Sequence, residues 1–135
     1  MYDLMIIGSG PAGISAALTA KARNLNFIWF GSRALSTKIE KAEKIMNYPG
    51  LPAVTGSEMQ SVFLKQIDDC GITITESQVN SIYDCGGYFA AGADNEIYEA
   101  KAVIMTVGMT TTREIEGEAR LLGCGVSYCA TCDGA

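Results

Sequence analysis

Histidine is absent from this 135-residue chain. That removes Ser–His and Cys–His nucleophile pairs and most catalytic zinc sites, so proton transfer falls to Asp, Glu, Lys, Tyr or Cys. Basic charge is also short: 10 Lys and Arg stand against 15 Asp and Glu, a net charge of −5. Binding to nucleic acid or to an anionic membrane surface draws on basic patches, and this balance argues against both. No apolar run approaches the roughly 20 residues of a membrane span. The N-terminus has no basic region followed by a cleavage site, and no internal repeat or low-complexity tract is present. What remains, 48% hydrophobic and 19% charged residues, is the composition of an ordinary globular protein. A cytoplasmic location is the expectation.

The first 30 residues carry the clearest local pattern. An apolar strand candidate over residues 1–7 runs into Gly8-Ser9-Gly10-Pro11-Ala12-Gly13. Pro11 suits a first helical position, where its missing N–H has no partner to lose. The Ala-rich stretch 14–23 reads as a helix, and 26–30 as a second strand rich in aromatic and β-branched residues. Together these make one βαβ unit.

Residues 32–52 are irregular and include a charge run over 38–44, the pattern of a solvated face. Thr55-Gly56-Ser57-Glu58 is a capping box. After it, Met59, Val62, Phe63, Ile67 and Cys70 fall on one helical face, and 72–75 begins another strand. Residues 78–99 alternate short strand-like pieces with the turn signals Cys85-Gly86-Gly87 and Ala93-Asp94-Asn95, as in a small antiparallel meander. The nearly continuous apolar run 102–107 predicts a strand buried on both faces. Beyond Gly108 the chain turns polar over 110–118, a candidate crossover to a second domain.

A Gly-x-Gly-x-x-Gly pattern is weak alone. Here it sits between a predicted strand and a predicted helix, the context in which it binds a dinucleotide. Gly8 permits the tight turn, Gly10 lets the backbone approach a pyrophosphate, and Gly13 lets helix pack on strand. The helix N-terminus then offers free N–H groups to the phosphates. The acidic residue expected about 20 residues further on, to hold a ribose hydroxyl, is missing. The second strand ends Phe30-Gly31-Ser32-Arg33 instead, and Arg33 is placed to face the 2′-phosphate of NADP. The turn therefore allows FAD or NADP.

The chain has five cysteines, Cys70, Cys85, Cys124, Cys129 and Cys132. An odd count in a reducing compartment points to redox or metal chemistry at a subset, not to a disulfide framework. Cys129-Ala130-Thr131-Cys132 has the spacing of a dithiol–disulfide couple, and Asp133 beside it is the nearest candidate proton donor. Flavin bridges hydride chemistry to thiol chemistry, so the combination favours FAD over a lone nicotinamide. A competing reading takes Cys124, Cys129 and Cys132 as three ligands of a [2Fe–2S] site, but no downstream cysteine supplies the fourth. A zinc half-site lacks its second close pair. Cys70 reads as a core residue and Cys85 as a turn residue, and no metal site is expected.

At this point the chain resembles the low-molecular-weight thioredoxin reductases. The matching strings run in order: Gly8 to Gly13, Asn47-Tyr48-Pro49-Gly50, residues 103–108, and Gly125-Val126-Ser127-Tyr128-Cys129-Ala130-Thr131-Cys132-Asp133-Gly134. The last is highly specific to that family. The resemblance implies an α/β fold: a Rossmann-like FAD/NAD(P)-binding three-layer domain with a small antiparallel meander, incomplete at this length. Residues 1–112 would be the N-terminal part of the FAD-binding domain, and 113–135 the start of an NAD(P)-type domain carrying the redox cysteines.

The resemblance further implies FAD held by Gly8, Ser9, Gly10, Pro11, Ala12, Gly13, Gly31, Ser32, Asn47 and Gly108. Cys129 and Cys132 would cycle between disulfide and dithiol, with Asp133 as acid/base, passing electrons to thioredoxin. NADPH is the family's usual donor, and the family works as a homodimer whose domains swing during turnover. Two departures stand out. Ser32-Arg33-Ala34-Leu35-Ser36 replaces the usual Gly-Gly-Gln-Leu segment, and Thr106-Val107-Gly108 replaces Ala-Thr-Gly, moving the hydroxyl to the other strand face. Residues 38–48 look like clostridial relatives, some of which take electrons from ferredoxin. Family members run to roughly twice this length, so the expectation is a fragment; a non-catalytic nucleotide-binding remnant is the alternative to an active reductase.

Overall fold

The computed structural model describes residues 1–108, 116–121, 124 and 126. Strand β1 (Tyr2–Ile7), helix α1 (Pro11–Ala22) and strand β2 (Phe27–Phe30) form the expected βαβ unit. The two strands pair in parallel, Leu4 opposite Phe27 through Ile7 opposite Phe30. Gly10 caps α1, Pro11 opens it, and Ala17 and Ala20 are buried, their small side chains letting the helix lie close to the sheet. Asn24, with φ of 54°, turns the chain back toward β2.

Alternation along β1 and β2 divides the core in two. Leu4, Ile6 and Trp29 face α1 and helix α3 (Gly56–Asp69), meeting Ile14, Phe63 and Ile67. Met5, Ile7, Ile28 and Phe30 face the opposite way, against Ala91, Ala93 and Ala100 of an antiparallel meander. That meander consists of β3 (Val79–Asp84), β4 (Phe89–Ala93) and β5 (Glu96–Met105), and the sheet order is β2-β1-β5-β4-β3. It curls far enough for Tyr98 of β5 to meet Phe30 edge-on, ring centroids 5.0 Å apart. Asp94 and Asn95, both at positive φ, make the tight turn between β4 and β5.

The capping box is present in full. Thr55 Oγ1 accepts from the Glu58 N–H at 3.2 Å, and Glu58 Oε2 accepts from the Thr55 N–H at 2.8 Å. Behind it, Met59, Phe63 and Ile67 are buried as expected, but Val62 is 45% exposed and Cys70 is exposed. The buried stripe turns instead toward Gln60, whose Nε2 donates to the Ser36 carbonyl, and Cys70 is the C-cap beyond the last packed turn. Cys70 is therefore not a core residue. Cys85 lies in the β3–β4 connection, as a turn residue should. The charge run contributes one helical turn, α2 (Thr37–Glu40), capped by Ser36, with Ile39 turned inward and the charged side chains exposed.

Two strand expectations change. Residues 72–75 give a single parallel bridge, Thr75 to Phe30, beside β2. The run 102–107 is not a separate strand buried on both faces: residues 102–105 are the second half of β5, and 106 and 107 lie beyond its end. Residues 96–100 pair antiparallel with β4, residues 100–105 pair parallel with β1, and Ala100 belongs to both ladders. Because β4 leaves β5 at Ala100, the far edge of 101–105 has no strand partner among the described residues. Ile104, Met105 and Val107 are 40%, 63% and 58% exposed. The remaining short helix is α4 (Glu118–Leu121), and among the described residues no helix is long and apolar enough to cross a membrane.

Candidate nucleotide-binding site

The glycine turn connects the carboxyl end of β1 to the amino end of α1, where an α/β sheet opens toward its ligands. Its three glycines answer to three different demands. Gly8 has φ of +114°, and a Cβ there would lie 2.4 Å from the Thr106 carbonyl oxygen. A Cβ on Gly13 would lie 2.0 Å from the Gly8 carbonyl oxygen, so helix and turn touch there. Gly10 is different. Its φ of −72° suits any residue, and a Cβ would meet no protein atom within 4 Å. Neither backbone nor packing requires glycine at that position; the open space in front of it is what a closely approaching phosphate needs.

Helix α1 points its positive end into that space. Its N-cap has no side-chain acceptor, its first turn holds no acidic residue, and Pro11 has no N–H to satisfy. The first main-chain bond runs from the Ile14 N–H to the Gly10 carbonyl at 3.0 Å, leaving earlier amides for an external acceptor. The residues present therefore fit the pyrophosphate of a dinucleotide.

Two side chains brace the turn from below. Trp29 Nε1 donates to the Gly8 carbonyl at 2.8 Å. Thr106 Oγ1 lies 2.9 Å from the Ile7 carbonyl and 3.1 Å from that of Gly8, giving its one hydrogen to either. The displaced hydroxyl of the Thr106-Val107-Gly108 segment is thus spent on the turn's own backbone. Neither residue stands out in the sequence as part of the site. Trp29 reads there only as a strand aromatic, and Thr106 lies 98 residues from the carbonyl it reaches.

Ser9 ties the turn to the segment after β2. Its buried hydroxyl accepts from the Ser32 N–H at 3.0 Å and donates to the Leu35 carbonyl at 3.0 Å. Gly31 packs against it: a Cβ there would lie 2.5 Å from Ser9 Cβ. Leu35 takes φ of 54°, a strained conformation for a non-glycine residue, held by burial of its side chain. Arg33, the candidate for a 2′-phosphate, reaches toward α3. Its guanidinium reaches both carboxylate oxygens of Asp68 on α3, each at 3.0 Å, and both side chains are about half exposed. In this structure that guanidinium is engaged by an acid. The Arg33 N–H and Ser32 Oγ instead meet Glu76 Oε1, at 2.8 Å and 3.4 Å, so Glu76 joins the cluster without any sequence signal.

Gly8 through Gly13, Gly31 and Ser32 thus come together. Asn47 and Gly108 share no hydrogen bond with them among the described residues. Asn47 is exposed, two residues after the Ile45–Val54 bridge and next to Tyr48, whose ring packs on Phe63. Gly108, at φ of +67°, follows the Thr106 brace. Cys129, Cys132 and Asp133 lie outside the described residues, and Cys124 is exposed. A cleft of about 410 Å³ lies along α1, lined by Ala12, Ala16 and Ala20 of the helix and by Leu4, Leu25 and Ile104.

The chain is similar to known proteins of one family. The family profile for pyridine nucleotide-disulphide oxidoreductases matches residues 2–135. The thioredoxin reductase of Bacillus subtilis is 32% identical over the whole chain, which spans 43% of that protein. Among solved structures, a ferredoxin-flavin thioredoxin reductase from Clostridium acetobutylicum is 48% identical with a TM-score of 0.80, over 98% of this chain and 46% of that one. The thioredoxin reductase of Streptococcus pyogenes is 35% identical with a TM-score of 0.83, over 100% of this chain and 44% of its own. The chain spans less than half the length of the relatives it matches.

Proposed function

The chain belongs to the pyridine nucleotide-disulphide oxidoreductase family, and on that premise we propose that it is part of a flavin-dependent thioredoxin-disulfide reductase. The observation that carries the reading is the opening in front of Gly10 at the uncapped positive end of α1. The backbone of Gly8 to Gly13 would hold the FAD pyrophosphate, and Gly31, Ser32, Asn47 and Gly108 would supply further contacts to the cofactor. When bound, FAD supplies two-electron transfer between a donor and a disulfide.

Residues 1–112 act as the FAD-binding part and 113–135 as the start of the domain with the cysteines. In the dithiol form of Cys129 and Cys132, one thiolate attacks a sulfur of the thioredoxin disulfide, giving a mixed disulfide and a thioredoxin thiol. The second cysteine then displaces that bond, leaving reduced thioredoxin and a Cys129–Cys132 disulfide. Asp133 supplies the proton in a chain without histidine. The whole protein works as a cytoplasmic homodimer. Ferredoxin as donor is supported by the likeness to the clostridial ferredoxin-flavin enzyme, with NADPH as the alternative. Anaerobic mixing with each donor, followed by the loss of flavin absorption, separates the two.

The experiment on the reading as a whole is Cys132→Ser. The variant should keep its flavin and lose thioredoxin reduction. Reduction at the wild-type rate would remove the cysteine assignment, and protein that takes up no FAD would remove the flavin assignment.

A further inference from the structure

The end of β2 lacks the acidic residue that usually accepts a hydrogen bond from the adenosine ribose of a dinucleotide. Ser32 and Arg33 occupy that place. An acid nevertheless stands beside it. Thr75 bridges Phe30 in parallel, so the residue after Thr75 and the residues after Phe30 emerge at the same end of the sheet as the glycine turn. That residue is Glu76.

Its Oε1 accepts from the Arg33 N–H at 2.8 Å and lies 3.4 Å from Ser32 Oγ. Ser32 in turn donates its N–H to Ser9 of the glycine turn at 3.0 Å. Glu76 is therefore two hydrogen bonds removed from the phosphate-facing backbone. The nearby cation does not neutralise it, because the Arg33 guanidinium is paired with Asp68. A carboxylate has about four acceptor positions on two oxygens, and here only Oε1 has protein partners among the described residues. The side chain is exposed.

We propose that Glu76, carried by the neighbouring chain segment instead of by β2, accepts the ribose hydroxyls of the adenosine half of FAD. This rests on the flavin reading above. Its negative charge also repels a 2′-phosphate, so the same residue selects an unphosphorylated adenosine over that of NADP.

The test is a binding cycle on apoprotein. FAD and an FAD analogue built on 2′,3′-dideoxyadenosine are each titrated into wild type, Glu76→Gln and Glu76→Ala, with quenching of flavin fluorescence as the readout. The analogue should bind wild type about 10- to 100-fold more weakly than FAD. Glu76→Ala should weaken FAD by a similar factor and no longer distinguish the two ligands. Glu76→Gln, whose amide oxygen still accepts from the Arg33 N–H, keeps the loop in place and should show a reduced discrimination; it carries the cycle if Glu76→Ala does not fold. If the analogue loses as much affinity in the variants as in wild type, Glu76 braces residues 32–34 and does not touch ribose. If wild type binds no FAD at all, it is the flavin reading that fails.

Discussion

The parallel strands and the antiparallel meander end in opposite ways. At the carboxyl ends of β1 and β2, backbone and side chains converge. The Gly8 N–H donates to the Phe30 carbonyl at 2.8 Å, the Gly31 N–H to the Thr75 carbonyl at 3.1 Å, and Thr106 returns from β5 to meet the turn. The outer face of the meander is open, with Tyr83 of β3 at 63% and Ile97 of β5 at 76% exposed. Its inner face, by contrast, is packed, Ala91, Ala93 and Ala100 closing over Met5 and Phe30. One region leaves open space in front of a shaped backbone, and the other covers a core. Substitutions in the first should therefore act on affinity, whether or not they also cost stability, and those in the second on stability alone.

Met5→Ala puts the covered face to the sharpest test. Met5 is fully buried, and its truncation should cost about 2–5 kcal/mol of stability while leaving the flavin affinity of the folded protein unchanged. A urea titration paired with a flavin titration reads both quantities. A large loss of affinity at unchanged stability would dissolve the distinction between the regions.

Within the turn, Gly13 and Gly10 should separate. Gly13→Ala forces a Cβ onto the Gly8 backbone, at a cost of about 1–3 kcal/mol as in overpacked cores, and should weaken flavin binding as well. Gly10→Ala has free space and should change stability by no more than about 1 kcal/mol, yet weaken FAD more than about tenfold. Equal effects at the two positions would mean that the opening at Gly10 is not a ligand site. Trp29→Phe removes one of two donors to the Gly8 carbonyl and should cost about 1–2 kcal/mol, with a modest loss of flavin.

The smallest expected effect lies far from both regions. The backbone N–H of Thr55 first, and its hydroxyl second, hold the Glu58 carboxyl below its ordinary value of 4.5. A depressed carboxylate contributes stability above its unfolded value and loses it as pH falls through the lowered one. The difference in melting temperature between wild type and Glu58→Gln should therefore be largest near neutrality and shrink below about pH 4.5. A gap that stays constant across that range would exclude the capping carboxylate as its cause.

Much of this could be read along the chain. The β1–α1–β2 unit, the three glycines and the α3 capping box each depend on residues a few positions apart. The face of α3 was legible at Met59, Phe63 and Ile67 but not at Val62 or Cys70, because the groove it fills is defined by the 32–36 loop. The continuity of β5 was hidden because half of it reads as an antiparallel turn partner and half as an apolar parallel strand. At Arg33 the sequence shows only a charge: its pairing with Asp68, 35 residues away, has no local signal.

By itself, then, the sequence determined where the chain turns, where its helices begin, and that a dinucleotide turn and a Cys-x-x-Cys pair stand in one chain. Backbone conformation and capping are local, and residue types at short spacing decide them. Only the tertiary structure decided that Trp29 and Thr106 brace the turn, that Ser9 is spent on the 32–35 segment, and that Glu76 stands where β2 has no acid. Those are hydrogen bonds across 21 to 99 residues, and no short-range pattern encodes which distant donor a carbonyl will find.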